Sequence, residues 1–163
     1  MPDVSTEVAI ATTTLGSAAS TITFSSIPAT YTDLRLVLVG TGSSSGVNVN
    51  LRLNNDSGTN YSQTSLVGNG SAASSYRSTS ASQFSDSQTY FDATVKMKTF
   101  DIMSYAGSTN KTVLFSGYGD MNGSGAVESN VGLYRSTSVI NRIDLSVVIS
   151  FLAGTTATLY GIL

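Results

Sequence analysis

The chain has 163 residues with 8 Lys and Arg against 10 Asp and Glu, so charged residues make up 11% of it, where ordinary soluble domains carry about 25%. It contains no His and no Cys, which excludes imidazole bases, thiol nucleophiles, disulfides and the usual zinc and iron sites. The net charge of −2 argues against nucleic-acid binding, which needs clustered Lys and Arg. Since 49 Ser and Thr residues supply much of the polar surface, we expect a binding or structural protein with no catalytic residues, cofactor site or metal site.

One domain over residues 1–163 fits the length, because a chain of about 150 residues buries enough surface to fold without staples. The first seven residues carry two acids and no Lys or Arg, the reverse of a secretion signal. Apolar runs stay well below the 18 or more residues of a membrane-spanning helix. The sequence therefore predicts a soluble protein, made in the cytoplasm, that contacts neither membrane nor nucleic acid.

Apolar and polar residues alternate with a period of two along much of the chain, as in half-buried β-strands. The alternation is clearest at 33–39, 47–53 and 141–147, and six further segments are rich in β-branched and aromatic residues. The predicted strands are Val8–Leu15, Ser20–Ser25, Asp33–Val39, Val47–Leu53, Ala93–Phe100, Lys111–Tyr118, Val127–Tyr134, Asn141–Val147 and Thr156–Ile162. The residues predicted to face inward in two of the clearest strands are Val47, Val49, Leu51, Leu53, Ile143, Leu145 and Val147.

Glycine-containing breaks at 40–46 and 119–125 are predicted to be hairpin loops between neighbouring strands. Eight or nine short strands without a long amphipathic helix indicate an all-β fold, a single-domain antiparallel β-sandwich. Protection of sheet edges at this strand number favours a jelly-roll-like arrangement. A Greek-key sandwich of the immunoglobulin type stays open as an alternative, although its Cys and Trp hallmarks are absent.

Two segments depart from the regular strand pattern. Residues 1–11 are a candidate N-terminal arm. Residues 54–89 form a long polar excursion, nearly structureless except for 60–67, the only stretch able to form a short helix or strand. So long a loop inside a compact domain is typically functional or ordered by a partner. The alternative is an exposed excursion that carries a short helix and an extra edge strand near 81–84, of the kind that sandwiches often have.

Two short motifs carry candidate chemistry. Asn54, Asp56 and Asn60 surround a glycine as in a calcium loop, but the closing Glu of such a loop is absent, and a tight turn explains the same residues. Ser108 and Lys111 have the spacing of a serine nucleophile with a lysine base. Enzymes with that pair carry it on a helix, whereas the glycine and asparagine around it here predict a turn that leads into a strand.

Acids that lie beside apolar strand residues raise the question of glycoside hydrolysis, which needs two carboxylates flanking the scissile bond. No spacing in this chain selects such a pair. We therefore expect Asp33, Asp101 and Asp144 to face outward, paired with Arg35 or Arg142.

Five tyrosines are candidates for a sugar-binding surface, because aromatic rings stack on the apolar faces of sugars while Asn and Asp bind the hydroxyls. They are Tyr61, Tyr76, Tyr90, Tyr105 and Tyr118. The alternative is that these rings pack in the core and at interfaces.

Both ends of the chain resemble virion proteins of tailed bacteriophages of the cyanophage-like kind. Residues 139–145, with the sequence Val-Ile-Asn-Arg-Ile-Asp-Leu, and the final segment 151–163, which ends in Leu-Tyr-Gly-Ile-Leu, are similar to the two strands that close many such chains. The pair 22–28 and 31–36 looks like the opening of that group, and 54–62 looks like its middle loop.

The resemblance implies a β-sandwich cement or decoration protein on the exterior of the virion capsid, commonly a homotrimer. Such a protein stabilises the head by bridging subunits of the major capsid protein, here through 1–11 or 54–89. The hydroxyl-rich composition suits a crowded shell, where like-charge repulsion would be costly. The alternative is a receptor-binding or fibre-tip module that recognises host surface glycan, and a third hypothesis is a hydrolase of surface polysaccharide.

Overall fold

The computed structural model describes residues 6–43, 47–87 and 89–163. Over these ranges the chain forms twelve β-strands, all paired antiparallel. The described residues include no helix that could cross a membrane. The strands are β1 (Glu7–Thr14), β2 (Ala19–Ser25), β3 (Asp33–Gly40), β4 (Asn50–Leu53), β5 (Tyr61–Gly68), β6 (Ala73–Ala81), β7 (Phe84–Ser85), β8 (Lys96–Met103), β9 (Lys111–Asp120), β10 (Gly125–Tyr134), β11 (Arg142–Phe151) and β12 (Thr156–Ile162).

The strands form two sheets that pack face to face. The larger sheet has eight strands in the order β1-β12-β3-β8-β9-β10-β5-β6, and the smaller has four in the order β2-β11-β4-β7. Alternate residues of each sheet point into one shared core, in which Leu34 and Leu36 of the larger sheet join Leu51 and Leu145 of the smaller. The protein is therefore all-β, with the two layers of a β-sandwich.

All nine strands predicted from the alternation are present, with ends within a few residues of the predicted ones. Ile143, Leu145 and Val147 face inward as predicted and are buried. Val49, Leu51 and Leu53 are likewise buried. Val47 lies before β4, half-buried, in an isolated bridge with Phe91. The period-two pattern thus gives both the strands and their inward faces.

The expectation that residues 54–89 are nearly structureless outside 60–67 is wrong, whereas the strand allowed at 60–67 is present as β5. β5 and β6 form a hairpin that extends one end of the larger sheet, and β7 adds an edge strand to the smaller sheet close to the predicted 81–84 position. β6 carries no alternation because almost all of its side chains are exposed on both faces. Its position is set by backbone pairing with β5, which a pattern of side-chain polarity does not record.

Two connections and the N-terminal segment differ in part from expectation. The 119–125 break is a hairpin loop between β9 and β10, as predicted. The 40–46 break is not a hairpin, because β3 and β4 lie in different sheets; residues 44–46 lie outside the described ranges. From Glu7 onward the candidate arm is strand β1, paired with β12, and residues 1–5 also lie outside the described ranges.

Candidate functional site

The 54–60 segment is a tight turn whose polar side chains bond to one another. Asn54 has a φ of 52°, and its Nδ2 donates to the carbonyl of Val139 at 2.8 Å. The carboxylate of Asp56 accepts hydrogen bonds from Asn60 Nδ2 at 2.8 Å, Gly58 N at 2.8 Å and Tyr134 Oη at 3.0 Å. The bonds from Asn60 and Gly58 hold the pKa of Asp56 below its ordinary value. The oxygens that resembled calcium ligands therefore serve this turn, as the alternative interpretation predicted.

The Ser-x-x-Lys spacing also serves a turn. Lys111 opens β9 and is buried, and its Nζ donates to the carbonyl oxygens of Gly107 and Thr109, the latter at 2.6 Å. Burial lowers the pKa of Lys111. In the described part of the chain Nζ has no bond to the Ser108 hydroxyl, so the structure does not bring the nucleophile and the base together.

The three strand acids are engaged with nearby groups. Asp101 accepts from Arg35 Nε at 2.6 Å, and Asp144 forms an ion pair with Arg142 Nη2 at 2.8 Å, so both predicted pairings are confirmed. Asp33 instead accepts from the backbone N–H of Ser104 at 2.6 Å. Asp144 lies on the outward face of β11, opposite in phase to Ile143 and Leu145, but it is only 8% exposed; burial opposes its ionisation, but the bonds from Arg142 hold its pKa below the ordinary value.

The five candidate tyrosines do not form one surface. Tyr61 and Tyr105 are fully buried in the core, so the sugar-binding expectation is wrong for them. Tyr61 stacks on Tyr134 with 4.7 Å between ring centroids. Tyr76 on β6 and Tyr118 on β9 are exposed. The cross-strand neighbour of Tyr76 is buried and that of Tyr118 is exposed, which shows that the two rings lie on opposite faces of the larger sheet.

Tyr118 borders an open groove of about 490 Å³ between the β5–β6 and β9–β10 hairpins. The polar lining includes Asn69, Ser71, Asp120 and Ser124, and five glycines leave backbone groups open to solvent. An aromatic ring beside amide, carboxylate and hydroxyl groups is the usual composition of a shallow sugar site. Tyr118 is one of the five tyrosines predicted for a sugar-binding surface, and it lines this groove.

A buried ionic cluster escaped the sequence analysis. Lys98 of β8 forms an ion pair with Asp86, and both side chains are less than 5% exposed. Lys98 Nζ also donates to Thr89 Oγ1 at 2.7 Å. Glu128 of β10, also fully buried, accepts from Thr89 Oγ1 at 3.1 Å and from the N–H of Ser87 at 2.9 Å.

The cluster fastens the end of the 54–89 excursion to the inner face of the larger sheet. Gly117 lies between Lys98 and Glu128 in the cross-strand register, and a Cβ on it would stand 2.0 Å from Thr89 Oγ1. The glycine therefore makes room for the threonine that links the two charged groups. Burial raises the pKa of Asp86 to about 6, and the nearby charge of Glu128 acts in the same direction, while Lys98 opposes both. The whole arrangement is enclosed, so it serves folding and not contact with a substrate.

One sequence signal for these lysines was available. Lys96 and Lys98 share the strand phase of Phe100, which the alternation places inward, and both lysines are buried. Lys96 pairs with Asp92 at 3.4 Å. Their partners come from other parts of the chain, and nothing in the local pattern identifies them.

The outer face of the larger sheet is unusual for a sandwich, because apolar and hydroxyl side chains cover most of it where water-facing sheets are mainly polar. Eight large apolar side chains on five adjacent strands are between 39% and 60% exposed. They are Val39, Leu66, Met97, Leu114, Tyr118, Val127, Val131 and Leu133.

The two ends of the same sheet are open edges. β1 pairs with β12 and β6 pairs with β5, and among the described residues neither β1 nor β6 has a strand on its other side. Within the described ranges no group of three or more carboxylates that could hold a metal occurs. The surfaces available for function are therefore the hairpin groove, the outer face and the two edges.

Comparison of the chain with models of known protein families gives no match, and comparison with curated proteins gives no significant match.

Proposed function

We propose that the protein is a structural protein of a tailed-bacteriophage virion, a cement or decoration protein on the capsid exterior that bridges subunits of the major capsid protein. The observation that carries the proposal is the placement of the two segments expected to make contacts. β1 and β6 lie at opposite ends of the eight-stranded sheet, about 34 Å apart at a strand spacing of about 4.8 Å. A pairing edge at each end lets one molecule contact two neighbours, as bridging requires.

The two edges are chemically suited to pairing with another chain. Unpaired backbone N–H and C=O groups on an edge strand bind an added strand. β6 has nine residues with one charged side chain, Arg77, and β1 likewise has one, Glu7. Each edge also carries a bulge, at Ala9–Ala11 in β1 and opposite Tyr61–Gln63 in β6. Bulges limit uncontrolled edge pairing, and they leave regular stretches for a specific partner.

Composition and resemblance support the same role. A surface rich in Ser and Thr with 11% charged residues avoids repulsion between many copies packed on one shell. The similarity of both chain ends to phage virion proteins supports the virion as the site of action. The mechanism is passive, since added interface area opposes the outward pressure of packed DNA.

Capsid stability tests the proposal. Heads assembled without the protein should release DNA at a lower temperature and after milder osmotic shock than complete heads, and purified protein added back should restore them. The double variant Ser74→Lys and Ser78→Lys on β6 should fail to restore them, because lysines on an edge oppose strand pairing. The matched variant Thr137→Lys and Ser138→Lys, in the exposed β10–β11 loop, should restore them fully. Equal resistance of heads with and without the protein would refute the cement role.

A second candidate function, recognition of host surface glycan at a fibre tip, is favoured by the hairpin groove. Tyr118 supplies an aromatic face, and Asn69 and Asp120 supply groups for sugar hydroxyls. Calorimetric titration with host surface polysaccharide should then show binding that Asn69→Ala and Asp120→Ala weaken at least tenfold. Asn110→Ala, in an exposed loop outside the groove, is the matched control. Hundreds of copies per virion, together with no polysaccharide binding, would exclude this function.

We also infer that the sandwich is a jelly roll enlarged by two hairpins. Setting aside β5–β6 and β9–β10, the remaining strands pair in nested fashion: β1 with β12, β2 with β11, β3 with β8 and β4 with β7. Nested pairing of this kind, split over two four-stranded sheets, is what a rolled pair of Greek keys produces. The two hairpins extend only the larger sheet. An experimental structure that lacked any of these four pairings would contradict the inference.

A further inference from the structure

We infer that the outer face of the eight-stranded sheet is a two-fold interface between two copies of this chain. The inference stands apart from the virion role, because it uses the sheet face and not the sheet edges. In the two-fold arrangement the symmetry axis runs parallel to the strands between β8 and β9, so that each strand lies over its counterpart counted from the opposite end of the sheet. β1 then faces the partner's β6, and β8 faces the partner's β9.

The first observation is that two complete cross-strand rows of this face are free of charged residues. Register across all eight strands defines each row. The first row is Thr14, Thr156, Val39, Met97, Tyr118, Val127, Gly68 and Ala73. The second row is Thr12, Thr158, Val37, Thr99, Ser116, Ser129, Leu66 and Ser75. In a monomer, the strands of a water-facing sheet normally alternate buried apolar residues with exposed charged and polar ones. Sixteen uncharged positions in two neighbouring rows therefore indicate that this face is covered.

Symmetry places the apolar members of the first row on one another. With the axis between β8 and β9, Met97 faces the partner copy of Tyr118, and Val39 faces the partner copy of Val127. The hydroxyl groups of the second row partly satisfy each other within one copy, as in the bond of 2.7 Å between Thr99 Oγ1 and Ser116 Oγ. Hydroxyls already bonded within the sheet are less costly to remove from water. The first row therefore carries an apolar segment that is self-complementary.

The size of the face matches what a stable pair needs. Eight strands at about 4.8 Å span about 34 Å, and seven or eight residues at about 3.3 Å give a length of about 24 Å. The product is about 800 Å², which is the area that each partner buries in an interface of standard size. Apolar patches larger than a few hundred Å² are rarely left open on monomeric proteins.

Residues of opposite charge lie at the two ends of the third row of this face. The third row begins with Ala9 on β1 and ends with Arg77 on β6. Within this row Arg35 of β3 pairs with Asp101 of β8, and Arg35 also contacts Glu7, two residues before Ala9 on β1, at 2.6 Å in each case. This group carries a net charge of −1. The two-fold axis places Arg77 of each copy opposite Ala9 of the other, beside Glu7 on the same strand, so opposite charges meet twice in a symmetric pair.

Sedimentation equilibrium of the purified chain tests the inference. At about 0.1 mM the wild type should have twice the mass of the 16.9 kDa chain. Val131→Lys, on β10 in the third row, should weaken dimerisation at least tenfold. Val148→Lys is the matched control, because Val148 is an exposed strand valine of the other sheet, and it should leave the dimer intact. Arg77→Glu should also weaken the dimer, and less so in about 1 M salt.

The circular dichroism spectrum and melting temperature of each variant show whether it folds. If Val131→Lys does not fold, Leu66→Lys replaces it, because Leu66 is 60% exposed. A monomeric wild type at 0.1 mM would overturn the inference, and so would a dimer that no substitution on this face weakens. A homotrimer, the assembly that the phage resemblance implies, would overturn it as well, because an isologous face pairs two copies and not three. The result of this experiment does not depend on whether the protein stabilises capsids, so the two proposals are tested separately.

Discussion

Lys98 and Asp86 form an ion pair inside the sandwich, where their side chains are 2% and 4% exposed. Lys98 belongs to β8 of the larger sheet, whereas Asp86 follows β7 of the smaller sheet, so the pair ties the two layers together. Asp86 also accepts the backbone N–H of Val49 at 3.0 Å. Glu128 adds a second buried carboxylate to the same cluster. Because Lys98 neutralises the buried carboxylate of Asp86, the stability of the fold depends strongly on that cation.

Replacing the cation is therefore expected to be costly. Lys98→Met keeps most of the side-chain volume and removes the charge, which leaves the buried carboxylate of Asp86 without the cation of its ion pair. Breaking a buried pair in this way costs about 3–5 kcal/mol, measured as the free energy of unfolding in urea. The exposed Arg77→Met should change it by less than about 0.5 kcal/mol. The double variant Lys98→Met and Asp86→Asn should recover part of the loss, and no recovery would show that the lysine acts through packing alone.

The buried ionic cluster is expected to make the folded state more stable at mildly acidic pH than at alkaline pH. Asp86 has a pKa of about 6 in the folded state against 3.8 as the ordinary value, so the folded state binds the proton more tightly. This contribution is fully present below about pH 4 and is lost as the pH rises through 6, by up to about 3 kcal/mol for two pKa units. Asp56 and Asp144, whose pKa values are lowered, act in the opposite direction and destabilise the fold below about pH 4. The melting temperature should therefore be higher at pH 5 than at pH 8.

Asp86→Asn separates this contribution from general charge effects. The amide keeps an acceptor for Val49 N–H and cannot ionise, so the difference in unfolding free energy between pH 5 and pH 8 should largely disappear. Asp120→Asn, which changes an exposed acid of the β9–β10 loop region, should keep the pH dependence of the wild type. A variant Asp86→Asn with unchanged pH dependence would mean that another group binds the proton.

Gly117, at the centre of the cluster, is predicted to tolerate a side chain poorly. Gly117→Ala would place a Cβ 2.0 Å from Thr89 Oγ1 and 2.9 Å from Lys98 Nζ, and neither group can move without losing its bonds. Overpacking of this kind costs about 1–3 kcal/mol. Gly68→Ala is the matched control, because Gly68 also lies in a strand and its Cβ would meet nothing within 4 Å. Thermal unfolding of the two variants compares them directly, and equal melting temperatures would contradict the role assigned to Gly117.

The sequence predicts the layers of this fold better than its connections. Alternation together with β-branched and aromatic content identified nine strands, because one side of each faces the shared core and is mostly apolar. It missed β6 because that strand is exposed on both faces, and it mistook the 40–46 connection because alternation does not say to which sheet a strand belongs. The inward phase of Lys98 can be read from its distance to Phe100, but its partner Asp86 lies twelve residues earlier in a segment without periodicity. Surfaces such as the apolar outer face depend on the register of strands far apart in the chain.

The inward phase of β11 gives the sharpest test of the sandwich itself. Leu145 is fully buried, between Ile22 of β2 and Leu51 of β4 in the register. Leu145→Asp would bury a carboxylate without a partner, at a cost of several kcal/mol, which is comparable with the total stability of a small domain. We expect this variant to lose its cooperative unfolding transition and its soluble assembly. Val148→Asp, three residues along the same strand at 86% exposure, should melt within a few degrees of the wild type. If both variants had the melting temperature of the wild type, the assignment of the buried face of β11 would be wrong.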